Sequence, residues 1–381
     1  MRLGFAAFVR QSAEEPFRIF FPVGLVIGLV GVSLWPLFFL GAISVYPATA
    51  HARLMTEGFV ACFVFGFLGT AGPRVMSVPH FRVGEVSRLL LLVAAVTIAH
   101  LLGFHTTGGG LFTVLLLLFA LSLGKRFLAR EDSPPPNFAL VTLGLLNGIV
   151  GAGLMFVCAA TASHPDLYRV GASFLHVGFP LLPLLGVGPF FLRRLLDLPS
   201  DGEAESAVRP ALFAIAVAVV IDVSLVFDVY AWSPLVAWLR AAVVLVYLIA
   251  TLPWQSSSLL AAWLRMSFAA IAAGLGLIAL FPGRRTAALH VILVAGVSVA
   301  IIAVATRVIL GHSDNLPLVQ RRRGWLNTAF ILILLGMISR YVADFRPSRD
   351  AHLHWGAIVW LIGVAIWGVV VLPHVRETGE D

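Results

Sequence analysis

The stretch from Arg18 to Ile43, RIFFPVGLVIGLVGVSLWPLFFLGAI, carries no charged residue after its first position. A helix needs roughly 20 apolar residues to cross a bilayer, and this run supplies them. Eleven further apolar runs follow, at residues 56–73, 88–104, 109–127, 137–160, 169–192, 208–227, 231–252, 260–281, 287–309, 324–343 and 353–373. Over all 381 residues the chain is 60% hydrophobic and 12% charged, with a mean hydropathy of +0.97. A soluble domain carries about 25% charged residues. The expected fold is therefore all-α, a polytopic transmembrane helical bundle of 12 spans in contact with the lipid bilayer.

The polar breaks between runs are short, the longest lying around Arg130–Pro136 and Arg193–Arg209, so residues 1–381 read as a single transmembrane domain. Met1–Pro16 is mixed polar and lacks the pattern of a cleaved signal, so the first span is expected to be retained. Cys62 and Cys158 fall inside apolar runs without a CxxC partner, which marks them as packing residues.

The formal charge of +7 is spread among loops rather than collected in one stripe, which excludes a nucleic-acid surface. Its pattern is topological. With twelve spans, 17 of the 26 Lys and Arg fall on the side of the termini and even-numbered loops, six fall on the other side, and Arg240, Arg307 and Arg340 lie within spans. The positive-inside rule then places both termini in the cytoplasm.

The 11 histidines run the opposite way. His51, His100, His105, His164, His176, His290, His352 and His354 map to the outer half, against His80, His312 and His374 on the cytoplasmic side. Imidazoles gathered at one end of a helical bundle are raw material for haem or copper. An interfacial histidine is also an ordinary amphipathic side chain, and that reading suits His105, His164 and His352, in or beside loops. His51, His176 and His290 each open a span, and polar groups at membrane depth face the bundle interior rather than lipid. His51 and Met55 lie four apart on one helix face, and a nitrogen–thioether pair suits Cu(I).

Asp222, Arg240, Arg307 and Arg340 are the costly residues inside spans. Arg307 and Arg340 are near span ends and placed to snorkel. Asp222 lies deep in the seventh span, where pairing with Arg240 is expected, with a proton path as the alternative. Spans two, six and ten each begin at an outer histidine, four spans apart. The choice is between a threefold repeat and chance recurrence in a chain with 35 glycines, and chance is the reading taken.

Three segments read as motifs: His51-Ala52-Arg53-Leu54-Met55-Thr56-Glu57-Gly58-Phe59 with Gly66 to Pro73; Gly186-Val187-Gly188-Pro189-Phe190-Phe191-Leu192-Arg193; and His290 onward to Arg307-Val308-Ile309-Leu310-Gly311-His312-Ser313. Together they resemble the NnrS family of haem- and copper-containing membrane proteins linked to nitric oxide metabolism. The resemblance covers the whole chain. It implies haem, with copper second, held by His51, His176, His290, Arg307 and His312, with His51, Met55 and His290 as the metal set. It implies a bacterial inner-membrane location and nitric oxide, or another small neutral molecule, as the partner.

The chain departs from the family's pattern. Its first motif commonly reads H-x-H-E-M; here Arg53 and Leu54 stand where the second His and the Glu would be. Gly186 stands where the second motif has Arg. Apart from the resemblance, Gly311 would permit a left-handed helix end and His312 would cap the last carbonyls of the tenth span. Two other functions fit the composition. One is a permease for a metal or small neutral solute, worked by Asp222 and Arg240. The other is an assembly factor for a respiratory-chain enzyme. No residue set for catalysis is evident.

Overall fold

The structure, a computed structural model, describes residues 3–196, 198, 207–254 and 258–379. Its twelve apolar helices are Phe17–Phe39, Ala48–Val75, Val83–Leu101, His105–Leu128, Phe138–Ala160, Pro165–Leu195, Val208–Tyr230, Pro234–Thr251, Leu259–Leu280, Pro282–His312, Arg323–Ala343 and Arg349–Arg376, each long enough to cross a membrane. No strand occurs among the described residues, so the all-α reading and the span count hold. A short amphipathic helix, Phe5–Glu14, precedes the first span.

Several helices begin before the apolar run does. The second starts at Ala48 rather than residue 56, and the tenth at Pro282 rather than residue 287. Hydropathy stops at a His or Arg, whereas the backbone keeps its internal hydrogen bonds as long as it lies in or near hydrocarbon.

The chain packs as two compact units, Met1–Ser133 with Ile301–Asp381, and Pro134–Ala300. In the first unit the first span lies against the second and twelfth spans. Its Gly24 and Gly28 form a small-xxx-small face: a Cβ at Gly28 would sit 2.6 Å from the Phe59 ring, and one at Gly24 would sit 2.8 Å from Cys62 Cβ. In lipid, where apolar surface alone does not drive association, such close approach supplies the packing energy. Trp367 Nε1 donates to Thr306 Oγ1 at 2.8 Å, tying the twelfth span to the tenth.

The start of the first span is clamped by charge. Arg18, buried, donates to Glu15 Oε2 at 2.6 Å and to the carbonyls of Val375 and Glu377 at 2.7 and 2.8 Å. Those last two bonds bind the C-terminal segment to the start of the bundle. In the second unit the fifth span packs on the sixth, the ninth on the tenth, and Tyr247 Oη donates to Leu185 O at 3.1 Å. Cys62 and Cys158 are both buried and free.

One backbone feature recurs. The second, sixth and tenth spans each contain a π-helical segment, at Leu54–Val60, Phe174–Gly178 and Val291–Ser298. These are the only π-helical segments among the described residues, and their spans are the most buried of the twelve. His51 precedes the first segment by one turn, His176 lies inside the second, and His290 abuts the third. The spacing of four spans is thus a repeated local structure. The recurrence that the sequence shows at the level of histidines thus extends to the local backbone state.

Candidate functional site

π-helical turns give up α-helical geometry and are frequent at functional sites. In the first unit, the turn after His51 lies against the first span. His51 Nδ1 is 3.0 Å from Gly31 O, and its ring stands edge-on to Trp35 at 5.9 Å. Gly31 also borders Met55: a Cβ there would be 3.4 Å from Met55 Sδ. The structure therefore brings His51 and Met55 to the same point on the first span, as their spacing implied.

A carbonyl oxygen only accepts, so His51 carries its hydrogen on Nδ1 and keeps its lone pair on Nε2. His290, in the second unit, has the same arrangement, with Nδ1 2.8 Å from Thr286 O. A metal-ligating imidazole is held in this way, its other N–H anchored on a backbone carbonyl or carboxylate. His176 is half-buried inside the second π segment. Among the described residues no three His, Cys, Asp or Glu side chains converge in the geometry of a metal cage. The anchored imidazoles of His51 and His290 are of the kind that could hold a haem iron.

His312 and Arg307 lie at the other end of the first unit. The His312 ring packs at a tilt on Phe17, 4.9 Å between centroids, at the start of the first span. At 1.5 Å of rise per residue, Phe17 and Gly31 are about 21 Å apart along that helix, so His312 and His51 do not share a ligand. Both ring nitrogens of His312 are occupied: Nδ1 donates to Val308 O at 2.8 Å, and Nε2 accepts from Arg74 Nη1. Arg74 also donates to Glu15. Capping of the last turn by His312 is seen, but the left-handed residue at this exit is Asp314, with φ 54°, not Gly311. Gly311 instead makes room for the Arg307 guanidinium.

A second polar chain crosses the first unit. Arg53 Nη1 donates to Glu57 Oε1, and Glu57 Oε2 accepts from His100 Nε2 at 2.9 Å. His100 Nδ1 then accepts from His105 Nδ1 at 3.3 Å. Arg53, Glu57 and His100 are buried, whereas His105 is half-buried. Sequence reading left Glu57 and His100 without a role. The signal was present as an Arg and a Glu four apart at the head of a span, a pair that one helix face brings together.

The expected pair of Asp222 with Arg240 is corrected. Arg240 Nη1 donates to Asp228 Oδ2 at 2.8 Å and to Ser224 Oγ at 3.2 Å, while Asp222 Oδ2 accepts from Asn147 Nδ2 at 3.0 Å. Asp228 is six residues beyond Asp222 on the seventh span, and so lies nearer the head of the eighth span, where Arg240 sits. Gly186 is closed in by the fifth span: a Cβ there would be 2.8 Å from Asn137 O and 3.1 Å from Leu140 Cβ. The arginine of the family pattern would not be housed here without moving that helix.

Fold and site define a polytopic helical membrane protein whose three π-interrupted spans each carry a histidine near their start. The family model described as NnrS protein matches residues 12–377, and the chain belongs to the NnrS family. No curated protein matches the chain. Family membership supports a role related to the nitric oxide response.

Proposed function

We propose that this chain is a haem-binding membrane protein of the nitric oxide response, with copper as a second metal, set in a bacterial inner membrane with both termini in the cytoplasm. The observation that carries the reading is the contact from Nδ1 to a backbone carbonyl that His51 and His290 share. In each, the carbonyl holds the ring through Nδ1–H, the anchoring that a metal-ligating imidazole shows. Either imidazole could hold the haem iron, with His176, inside the second π segment, as a third candidate. His51 and Met55 together would suit Cu(I).

When bound, haem supplies an iron centre able to take up a small neutral gas. The protein's part is to position imidazole and exclude water. Nitric oxide is small, uncharged and soluble in the bilayer, so it needs no charged funnel to reach an apolar bundle. Arg307 and His312 lie at the opposite end of the first unit, where His312 packs on the start of the first span.

The test is a visible absorption spectrum and metal analysis of the detergent-purified protein, oxidised, reduced, and then exposed to nitric oxide. A Soret band that shifts with the gas is expected. His51→Ala and His290→Ala should each lower bound haem with membrane insertion intact. Full haem retention in both variants, or a colourless protein that stays so after haem reconstitution, would overturn the reading.

A further inference from the structure

The second unit buries more positive than negative charge where the seventh span ends and the eighth and tenth begin. Asp228 and Arg240 are each 1% exposed at their side chains, and Arg285, at 29%, joins them. Both guanidinium groups use the same oxygen, Asp228 Oδ2, at 2.8 and 3.0 Å. Two cations thus share one carboxylate, and the cluster keeps a net positive charge at low dielectric, where an uncompensated charge is costly.

The geometry of Arg240 shows where compensation would come from. Its Nη1 is committed to Asp228 and Ser224. Its Nε and Nη2 are buried and have no partner among the described residues. Those two N–H groups form one edge of the guanidinium plane and point in parallel, the fork that accepts two oxygens of a planar anion side-on. A lysine or a bare helix terminus would not offer it.

We propose that the Nε–Nη2 edge of Arg240 is a binding site for one small planar oxyanion presenting two equivalent oxygens, of the nitrite or carboxylate type. Ser224 is the one neutral side chain bonded to Arg240. Asp228 Oδ1, which also lacks a partner, is the group an incoming anion would oppose. The pair of arginines outweighs that single carboxylate. Arg285, partly exposed, provides the approach. None of these residues belongs to the haem reading, so the two proposals fail separately.

The experiment is thermal unfolding of the detergent-purified protein titrated with sodium nitrite, sodium acetate or sodium chloride at constant ionic strength. A ligand that binds only the folded state raises the unfolding temperature in a saturable way. Nitrite or acetate should do so and chloride should not. A response to nitrite alone identifies a free inorganic oxyanion, whereas a response led by acetate identifies a carboxylate carried on a larger molecule. Arg240→Lys, which keeps the charge and loses the edge, should weaken the apparent affinity at least tenfold. Arg285→Gln, which leaves that edge in place, should weaken it several-fold and gives the answer if the lysine variant does not fold. No saturable shift with either oxyanion, an equal response to chloride, or full response in a folded variant overturns the site.

Discussion

Arg53 and Glu57 form an ion pair within one turn of the second span, with both side chains buried, Arg53 just before the π-helical segment and Glu57 inside it. Removing one partner of a buried pair leaves the other charge without compensation, at about 3–5 kcal/mol, whereas replacing both by apolar groups of similar size is often neutral or better. Glu57→Ala should therefore destabilise by that amount, since it also strips His100 of its acceptor. The double variant Arg53→Leu with Glu57→Met should recover most of the loss. Denaturant unfolding in detergent measures both, and a Glu57→Ala protein as stable as the parent would refute the pairing.

The same network depends on the absence of one methyl group. Gly108 lies beneath the His100 ring: a Cβ at that position would be 2.5 Å from Cε1 and 2.8 Å from both ring nitrogens. Gly108→Ala should push the imidazole off Glu57 and cost about 1–3 kcal/mol, the usual penalty for a buried polar group that loses its partner. Gly84, in the third span, has nothing within 4 Å of its built Cβ. Gly84→Ala should be neutral or stabilising by up to about 1 kcal/mol, because alanine favours the helix. Melting temperatures of the two variants, taken side by side, should fall for Gly108→Ala and hold or rise for Gly84→Ala.

The spans were legible because hydrocarbon imposes one rule on every one of them: enough consecutive apolar residues, with the backbone bonded internally. Their ends were not, because His51 and the stretch from Pro282 to Thr286 sit on helical backbone that lies outside the apolar runs. Asp228 was passed over for the same reason, since the apolar run closes at residue 227. Asp222 attracted the pairing because of its depth, yet depth does not say which face of a helix a residue occupies. The anchoring of His51 and His290 was beyond sequence altogether. Each is fixed by a backbone carbonyl, at Gly31 and Thr286, and nothing in the identity of a glycine or threonine announces that its oxygen meets a ring nitrogen.

The two seventh-span aspartates should separate cleanly under mutation. Asp222→Asn keeps an oxygen able to accept from Asn147 Nδ2 and should change stability by less than about 1 kcal/mol. Asp228→Asn leaves Arg240 and Arg285 facing a neutral amide, and should cost about 3–5 kcal/mol. Unfolding curves for the two variants decide the matter. Equal losses, or the larger loss at Asp222, would contradict the observed pairing.

The clamp on the first span predicts how stability responds to acid. Burial on its own would raise the Glu15 carboxyl, but Arg18, by its charge and its hydrogen bond, and a hydrogen bond from Gln11 hold it below its ordinary value of 4.5. A carboxylate whose folded value is depressed stabilises the protein above its unfolded value and loses that contribution as pH falls through the folded one. The Glu15 contribution should accordingly be constant from neutral pH down to about 4.5 and disappear below it. Glu15→Gln should be less stable at neutral pH by about 1–3 kcal/mol, since Arg18 and Arg74 both lose a charged acceptor. Stability of the parent and of Glu15→Gln, measured from pH 7 to pH 3, should converge at the acid end. A difference that persists unchanged to pH 3 would mean that the contribution of Glu15 is one of packing and not of charge.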